Sequence, residues 1–545
     1  MLKSWQNLSR EQRRYRLAVL FALVVGVVVR VVKFPALPPG LNADEASSAY
    51  EAYALATTGA DRWGNHLPAY FPGWGSGQNV LLSYLTVPVV QLLGLNMVSV
   101  RLVPLLLGLL TLPLFFVFLR PLGRRPALLG LLLLALAPWH FMLSRWGLES
   151  NLVVFWMLLG GVLLRQAIGT QRLRWVVPAL LPFAVALYAY GTTIVVLPTL
   201  LGLVLLGCWR RMVPRLGAWL LALGLFVAGA LPFLLFFLEN YVLHRNLAWT
   251  DKLFFSTPLL VGNRLEEVAR HGTWSDFYNW NTDLLMRGFD DKTSYNLLAE
   301  YPLLGYFVWG LALLGFGLVL VRLWQAGRRL AEQPALVVGL LAVAWLLACV
   351  PLFYLFELNV NRINHFFVPC LVLAVWGTAA IINNLRPTAP KRLIWNLALL
   401  WVVLSGFPAV RHYFRSYRHG EIGVDFRAGL EPAFAALAQL PPTGQVLVDL
   451  RADPAYIYAL YYLRYPPARF QREAQVAVVK GSYQVRKFGR YVLDKQQLRA
   501  GRTYNYVAHL DSLPADAQHR KTVVYRDEQW ETGTMQLVAP APAKP

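Results

Sequence analysis

Apolar residues in this chain do not alternate with polar ones at a strand or surface-helix period. They run in unbroken blocks separated by short arginine clusters. A block of about 20 apolar residues makes a helix long enough to cross a hydrocarbon layer. A helix also satisfies its own backbone hydrogen bonds where no water is present. Eleven blocks read as spans, at roughly 17–34, 99–119, 126–142, 151–164, 175–190, 192–209, 216–238, 303–321, 335–355, 363–383 and 393–410. The pattern predicts a polytopic α-helical membrane protein with about 11 transmembrane helices.

The clusters between the blocks set the orientation. Lys3, Arg10, Arg13, Arg14 and Arg16 precede the first block and favour a cytoplasmic N-terminus. Alternation then puts Arg120/Arg124/Arg125, Arg165/Arg172/Arg174, Arg210/Arg211/Arg215, Arg322/Arg328/Arg329 and Arg386/Lys391/Arg392 on that same side. Arg30 and Lys33 close the first block without a small-residue cleavage site, which reads as a retained span and not a signal peptide. The expected location is the plasma (inner) membrane.

Three long stretches fall outside: 35–98, 239–302 and 411–545. Residues 1–410 read as the transmembrane catalytic domain, with 35–98 and 239–302 as its outer loops. The apolar run 80–95 would reverse every later basic loop if it spanned, so it reads as an interfacial helix. In 411–545, short β-like runs (Gln445–Leu450, Val476–Val479, Thr522–Tyr525) flank a helix-like run, Ala455–Leu463. This predicts a small extracytoplasmic α/β domain.

Composition agrees. Hydrophobic residues make up 57% of the 545 and charged residues 15%, against about 25% charged in soluble domains. The net charge of +22 would suggest nucleic acid in a soluble protein. Here the basic residues lie between apolar blocks, so they read as topology signals and contacts to membrane lipids, with no nucleic-acid partner. Cys208, Cys349 and Cys370 sit inside apolar blocks as small core residues.

The candidate chemistry gathers in the outer loops. Asn42-Ala-Asp44-Glu45 places adjacent carboxylates just outside the first span. Asn42 with Glu45 matches a capping box, while Asp44 suits a general base taking a proton from an acceptor hydroxyl. Asp61, within Gly59-Ala-Asp61-Arg62-Trp63-Gly64, suits a tight turn. Arg145 and Glu149 are spaced to pair on one helical face. Arg362 and His365 sit at the outer end of the tenth span, where an arginine grips a phosphate or snorkels and a histidine packs. His271, Trp274, Asp276, Tyr278, Trp280, Asp283 and Arg287 interleave aromatic and polar groups, as a sugar platform or an interfacial belt would. Gly-rich phosphate loops, zinc-protease motifs and serine-hydrolase elbows are missing.

The order of these features resembles a known family. Asp44-Glu45, the interfacial helix, Arg101-Leu102-Val103-Pro104 opening the second span, and Pro138 followed by Ser144-Arg145 at the end of the third look like the C-type (GT-C) glycosyltransferases. The branch is that of bacterial protein O-mannosyltransferases and the lipid A aminoarabinose transferase. The resemblance runs over about 10–420 and is strongest over 40–160. It implies a GT-C fold and inverting transfer of a sugar from a polyprenyl-phosphate donor to an acceptor hydroxyl outside the membrane. It places Asp44 at the first-loop catalytic aspartate, with Glu45 beside it and Glu149 at a second-loop acid where the aminoarabinose branch has aspartate. That branch's lysine before the interfacial helix is missing, and Gln78 and Asn79 stand nearby. Arg362, with Arg145 and His365, is then the candidate for donor phosphate and lipid; Asp61, Gln78 and Trp280 are the candidates for sugar or acceptor. Some members use a divalent metal and others none, and no ligand cluster here decides between them. A lipid-linked glycan ligase or polymerase is the nearest alternative. A transporter is the other, although its charged groups would lie within the spans.

Overall fold

The computed structural model describes residues 9–73, 77–262, 273–287, 298, 301–386, 388, 390–416, 422–451, 454–499, 502–512 and 519–537. His271, singled out from the sequence, lies outside them. The chain forms two compact units: Met1–Pro35 with Val103–Leu234 and Val268–His419, and Ala36–Leu102 with Leu235–Glu267 and Gly420–Pro545.

The first unit is helical, and each of the eleven apolar blocks contains helix. Among the described residues, seven helical runs are long and apolar enough to cross a membrane, including a 51-residue run, Thr193–Leu243. That run holds two of the predicted blocks, Thr193–Met212 and Leu216–Phe237, joined through a 3₁₀ turn at Val213–Arg215. Blocks 126–142 and 175–190 are interrupted helices, Arg124–Leu136 with Pro138–Leu143 and Leu173–Val176 with Leu181–Ala189. Proline explains the first break: Pro138 cannot donate to the preceding turn. Helix Arg10–Val31 exposes Leu17, Leu20, Phe21, Val24 and Val28 along its length, the outward apolar face that lipid, and not water, accommodates. The spans are not free of charge. Arg30, in the last turn of this helix, is fully buried and donates to the carbonyls of Gly26, Leu134 and Ala135. Its guanidinium also lies 2.6 Å from His140 Nδ1.

Helices Tyr306–Ala326 and Phe367–Asn384 approach backbone to backbone. A Cβ added at Gly315 would lie 1.9 Å from the Leu373 carbonyl, and one at Gly377 would lie 2.2 Å from that of Leu311. Backbone cannot rotate away as a side chain can, so Gly377→Val should force the helices apart. The expected cost is about 3 kcal/mol or more, read as a lowered thermal midpoint in detergent. Gly229→Ala, whose Cβ would meet Ala184 at 3.5 Å, should leave the midpoint unchanged.

The second unit is built on a seven-stranded sheet of order β2-β3-β4-β1-β5-β7-β6. Its strands are β1 Val446–Asp449, β2 Gln475–Val479, β3 Ser482–Phe488, β4 Tyr491–Val492, β5 Thr503–His509, β6 His519–Arg526 and β7 Trp530–Leu537. Strand β1 runs parallel to β4 and β5, and the remaining pairs are antiparallel. Helix Ala43–Thr58 of the first outer loop belongs to this unit. Its Ala46, Ala49 and Tyr50 share one apolar core with Ile457, Leu460, Phe470 and Phe488, and the Tyr50 hydroxyl donates to the Tyr465 carbonyl at 2.8 Å. Packing thus groups residues 36–102 with the C-terminal region, although more than 300 residues of chain separate them. The run expected to lie at the interface is a 13-residue helix, Leu81–Leu93. At about 1.5 Å per residue it is too short to span a bilayer.

Candidate functional site

The helix Ala43–Thr58 begins where the sequence places its start. Asn42 Oδ1 accepts from the Asp44 amide at 3.0 Å, and Glu45 Oε2 accepts from the Asn42 amide at 3.4 Å, completing the capping box. Glu45 is fully buried, and both of its oxygens meet Arg101: Nε at 2.7 Å and Nη2 at 2.8 Å. Arg101 also donates to the carbonyls of Pro38 and Gly40. The two neighbouring carboxylates therefore differ in kind. Glu45 is locked in a buried bidentate pair, while Asp44 stands half-buried at the helix N-terminus, where unpaired N–H groups favour an anion.

Gln78 holds Asp44 from the other side. Its Nε2 donates to Asp44 Oδ1 at 3.2 Å and to the Asp44 carbonyl at 3.3 Å. Gln78 is presented by a bridge with Phe71, whose backbone groups it meets at 2.9 and 3.0 Å. Gly77 closes that bridge with φ +84, and a Cβ there would strike the Phe71 carbonyl at 2.2 Å. Gln78 Oε1 is buried with no hydrogen-bond partner among the described residues.

Asp61 holds a turn. It accepts from the amides of Trp63 and Asn65 and from Asn65 Nδ2, each at 2.8 Å. Beside it Arg62, also buried, donates from Nε to Glu51 at 2.5 Å and further to Ser47 and Tyr456. Burial weakens the hold of the Arg62 guanidinium on its proton, but Glu51 outweighs this and keeps it charged. Burial pushes the Asp61 carboxyl up to about 7, and the nearby Glu51 charge adds to the rise. A raised acid stabilises the fold below its unfolded value near 4 and loses that contribution as pH climbs toward 7. Relative to Asp61→Asn, which does not titrate, the wild type should therefore lose up to about 4 kcal/mol between pH 4 and 7. Unfolding midpoints of both proteins across that range measure the difference.

In the other unit, Arg145 and Glu149 are both buried, but no helix connects them. Helix Pro138–Leu143 ends before Arg145, and a 3₁₀ turn starts only at Glu149. The helical-face spacing read from the sequence therefore does not apply, because residues 144–148 form a turn through Trp146-Gly147. Arg145 caps the first helix, donating to the carbonyls of Val29, Arg30 and Val32 at 3.0, 2.7 and 2.7 Å and to the Tyr413 hydroxyl. Arg362 is half-buried, with its amide capped by Asn359 and its Nη1 donating to the Glu357 carbonyl. Trp280 Nε1 donates to the next carbonyl, Leu358, at 2.7 Å, so Arg362 and Trp280 flank one short segment. His365 is fully buried and accepts from Trp345 Nε1 at 3.2 Å. Asn364 Nδ2 donates to the Ser150 carbonyl at 2.6 Å, which ties the Arg362 turn to the Glu149 turn.

Sequence reasoning missed three of these arrangements: Arg101 as the partner of Glu45, the Glu51–Arg62 pair, and Glu239. The last is fully buried and accepts from the Leu247 amide and the Thr250 hydroxyl at 2.7 Å, and from Thr257. A glutamate inside an alanine-rich helix with an arginine in the following turn is a legible signal for Glu51. Nothing local marks the other two. For a divalent metal, the residues do not fit: among the described residues no three His, Cys, Asp or Glu side chains come together. Asp44 has an amide beside it, and Glu45 is spent on Arg101.

Comparison with known proteins places this architecture. Residues 78–236 match the family model of dolichyl-phosphate-mannose-protein mannosyltransferases. No curated protein matches the chain. ArnT from Cupriavidus metallidurans bound to undecaprenyl phosphate superimposes with a TM-score of 0.56 at 17% identity, covering 95% of this chain and 97% of that one. The same protein in its apo state gives 0.55 at 17%, covering 96% and 98%. The chain is thus a multi-pass membrane protein of the GT-C fold, the fold it shares with ArnT.

Proposed function

We propose that the protein is an inverting glycosyltransferase that moves a sugar from a polyprenyl-phosphate donor to an acceptor hydroxyl, with Asp44 as the general base. The observation that carries this reading is the division of labour between the paired carboxylates. Glu45 is consumed by Arg101 and the helix cap, which leaves Asp44 half-exposed and oriented by Gln78. Undecaprenyl phosphate bound to ArnT, a protein of the same fold, supports the donor class.

The acceptor oxygen attacks the anomeric carbon as the bond to the phosphate oxygen breaks, so configuration inverts. The acceptor proton passes to Asp44 and then to water, and the polyprenyl phosphate leaves as an anion. A positioned base contributes about 10²–10⁴-fold to such a step. The departing phosphate requires a cation, and Arg362 takes that role: its guanidinium is planar, and among the described residues its Nη1 alone is engaged, by a carbonyl. Arg145 keeps its guanidinium on the helix end and is a positioning residue. Glu45 is one as well, while Glu149 is the second carboxylate required for turnover. Gln78 steadies the base, and His365, Trp280 and Asp61 support the surrounding turns. The N-terminus faces the cytoplasm, and transfer takes place on the opposite side of the inner membrane.

Purified protein in nanodiscs, offered a panel of polyprenyl-phosphate sugars, should release free polyprenyl phosphate from at least one and give a product of inverted anomeric configuration by NMR. Retained configuration would refute the mechanism. Arg362→Ala should lower kcat/KM for the donor about 10²–10³-fold, with Lys restoring part of it. Unchanged steady-state kinetics would remove Arg362 from donor binding.

A further inference from the structure

A cavity of about 600 Å³ opens in the second unit, lined by residues at the ends of β1 and β4, by β3, and by the start of helix Ala455–Tyr462. Strands β1 and β4 are parallel neighbours, and the cavity lies at their carboxyl ends, with Asp449 closing β1 and Asp494 following β4. In open α/β sheets that edge is where the loops diverge and leave a crevice for small ligands.

From this lining we infer a saccharide-binding site, distinct from the Asp44 site and independent of the transfer chemistry. Three features select the ligand. First, the lining has an apolar part: Leu493, half-buried, offers a surface for the C–H face of a sugar ring, with Val448 and Val485 buried. Second, the rim mixes signs. Asp449 and Asp494 face Arg451, Arg486 and Lys495, so a phosphate would meet two carboxylates and a cation would meet three positive groups. A hydroxyl both donates and accepts, and an alternating rim suits it. Third, the cations of the rim's pairs are exposed. Lys495 lies 2.5 Å from Asp449 and Arg486 lies 3.9 Å from Asp494, and both cations are about half exposed. Exposed pairs of this type contribute about 0–1 kcal/mol, so a ligand's hydroxyls can replace them. The volume lies within the range of small-ligand pockets, about 300–1,000 Å³, and suits two or three sugar rings better than one.

The wall of this cavity is also fastened to the helix that carries Asp44. Tyr456 lines the cavity, its hydroxyl receives Arg62 Nη1, and Arg62 pairs with Glu51 of helix Ala43–Thr58.

The test uses full-length protein in nanodiscs with mannotriose, chitotriose and trigalacturonate as probes, and inorganic phosphate and ATP as competitors, read by saturation-transfer NMR. At least one trisaccharide should bind saturably, and neither phosphate nor ATP should displace it. Arg486→Ala and Asp494→Asn, which keeps the Asp494 oxygen that accepts from the Gln496 amide, should each weaken binding about tenfold with an unchanged thermal midpoint and unchanged polyprenyl phosphate release. The inference is overturned if none of the three saccharides binds at millimolar concentration, if phosphate or ATP competes, or if both variants bind as the wild type does. Transfer activity is measured separately, so a failed saccharide site leaves the transferase reading standing, and the converse holds.

Discussion

Glu45→Gln should cost the protein about 3–5 kcal/mol of stability, the penalty for leaving a buried guanidinium without its counter-charge. Glu45 and Arg101 are both fully buried and joined at 2.7 Å, so neither can turn to water when the other is lost. Glutamine can still accept from the Asn42 amide, which keeps the cap and isolates the ionic contribution. Replacing both partners, as Glu45→Leu with Arg101→Met, removes two desolvated charges together and should recover roughly half of the loss. Recovery should not be complete, because the Pro38 and Gly40 carbonyls lose the donors Arg101 gave them. Thermal midpoints in detergent measure the three proteins. Transfer activity in the refolded double variant then separates a positioning carboxylate from a reacting one: a positioning Glu45 permits activity without a charge at that site.

The second large effect falls on Asp44. Asp44→Asn should lower kcat about 10²–10⁴-fold while leaving the donor KM and the thermal midpoint close to wild type. Asparagine keeps the size of the side chain and can accept from Gln78 through its amide oxygen, so the helix start survives. What is lost is the ability to take the acceptor proton. Asp44→Glu should retain intermediate activity, since it keeps the charge but moves it by one methylene. A drop in kcat that is matched by a fall in midpoint would place Asp44 with Glu45 as a structural group.

Some of this was legible in the sequence, for identifiable reasons. Unbroken apolar blocks can only be helices in lipid, so all eleven segments contain helix. Their breaks were less legible, because the proline at 138 was read inside the block 126–142. The capping box at Asn42 and Glu45 was readable because its partners are three residues apart. Arg101, the partner that decides the fate of Glu45, lies 56 residues away, and no local pattern could have paired them. The same distance argument covers the C-terminal sheet. Strands β1, β2 and β6 carry apolar runs that show in the sequence, whereas β3 breaks its apolar positions with Arg486 and Lys487. The shared core of helix Ala43–Thr58 with Ile457 and Phe470 joins chain segments that the sequence order separates by the whole helical unit.

The most direct test of the account is a single-turnover experiment. Wild type and Asp44→Asn, each in excess over an accepted polyprenyl-phosphate sugar, are mixed with acceptor, and free polyprenyl phosphate is followed over time. With Asp44 as the base, the wild type should release it and the folded variant should do so at least about 10²-fold more slowly. Equal rates in the two proteins would contradict it and remove Asp44 from the mechanism.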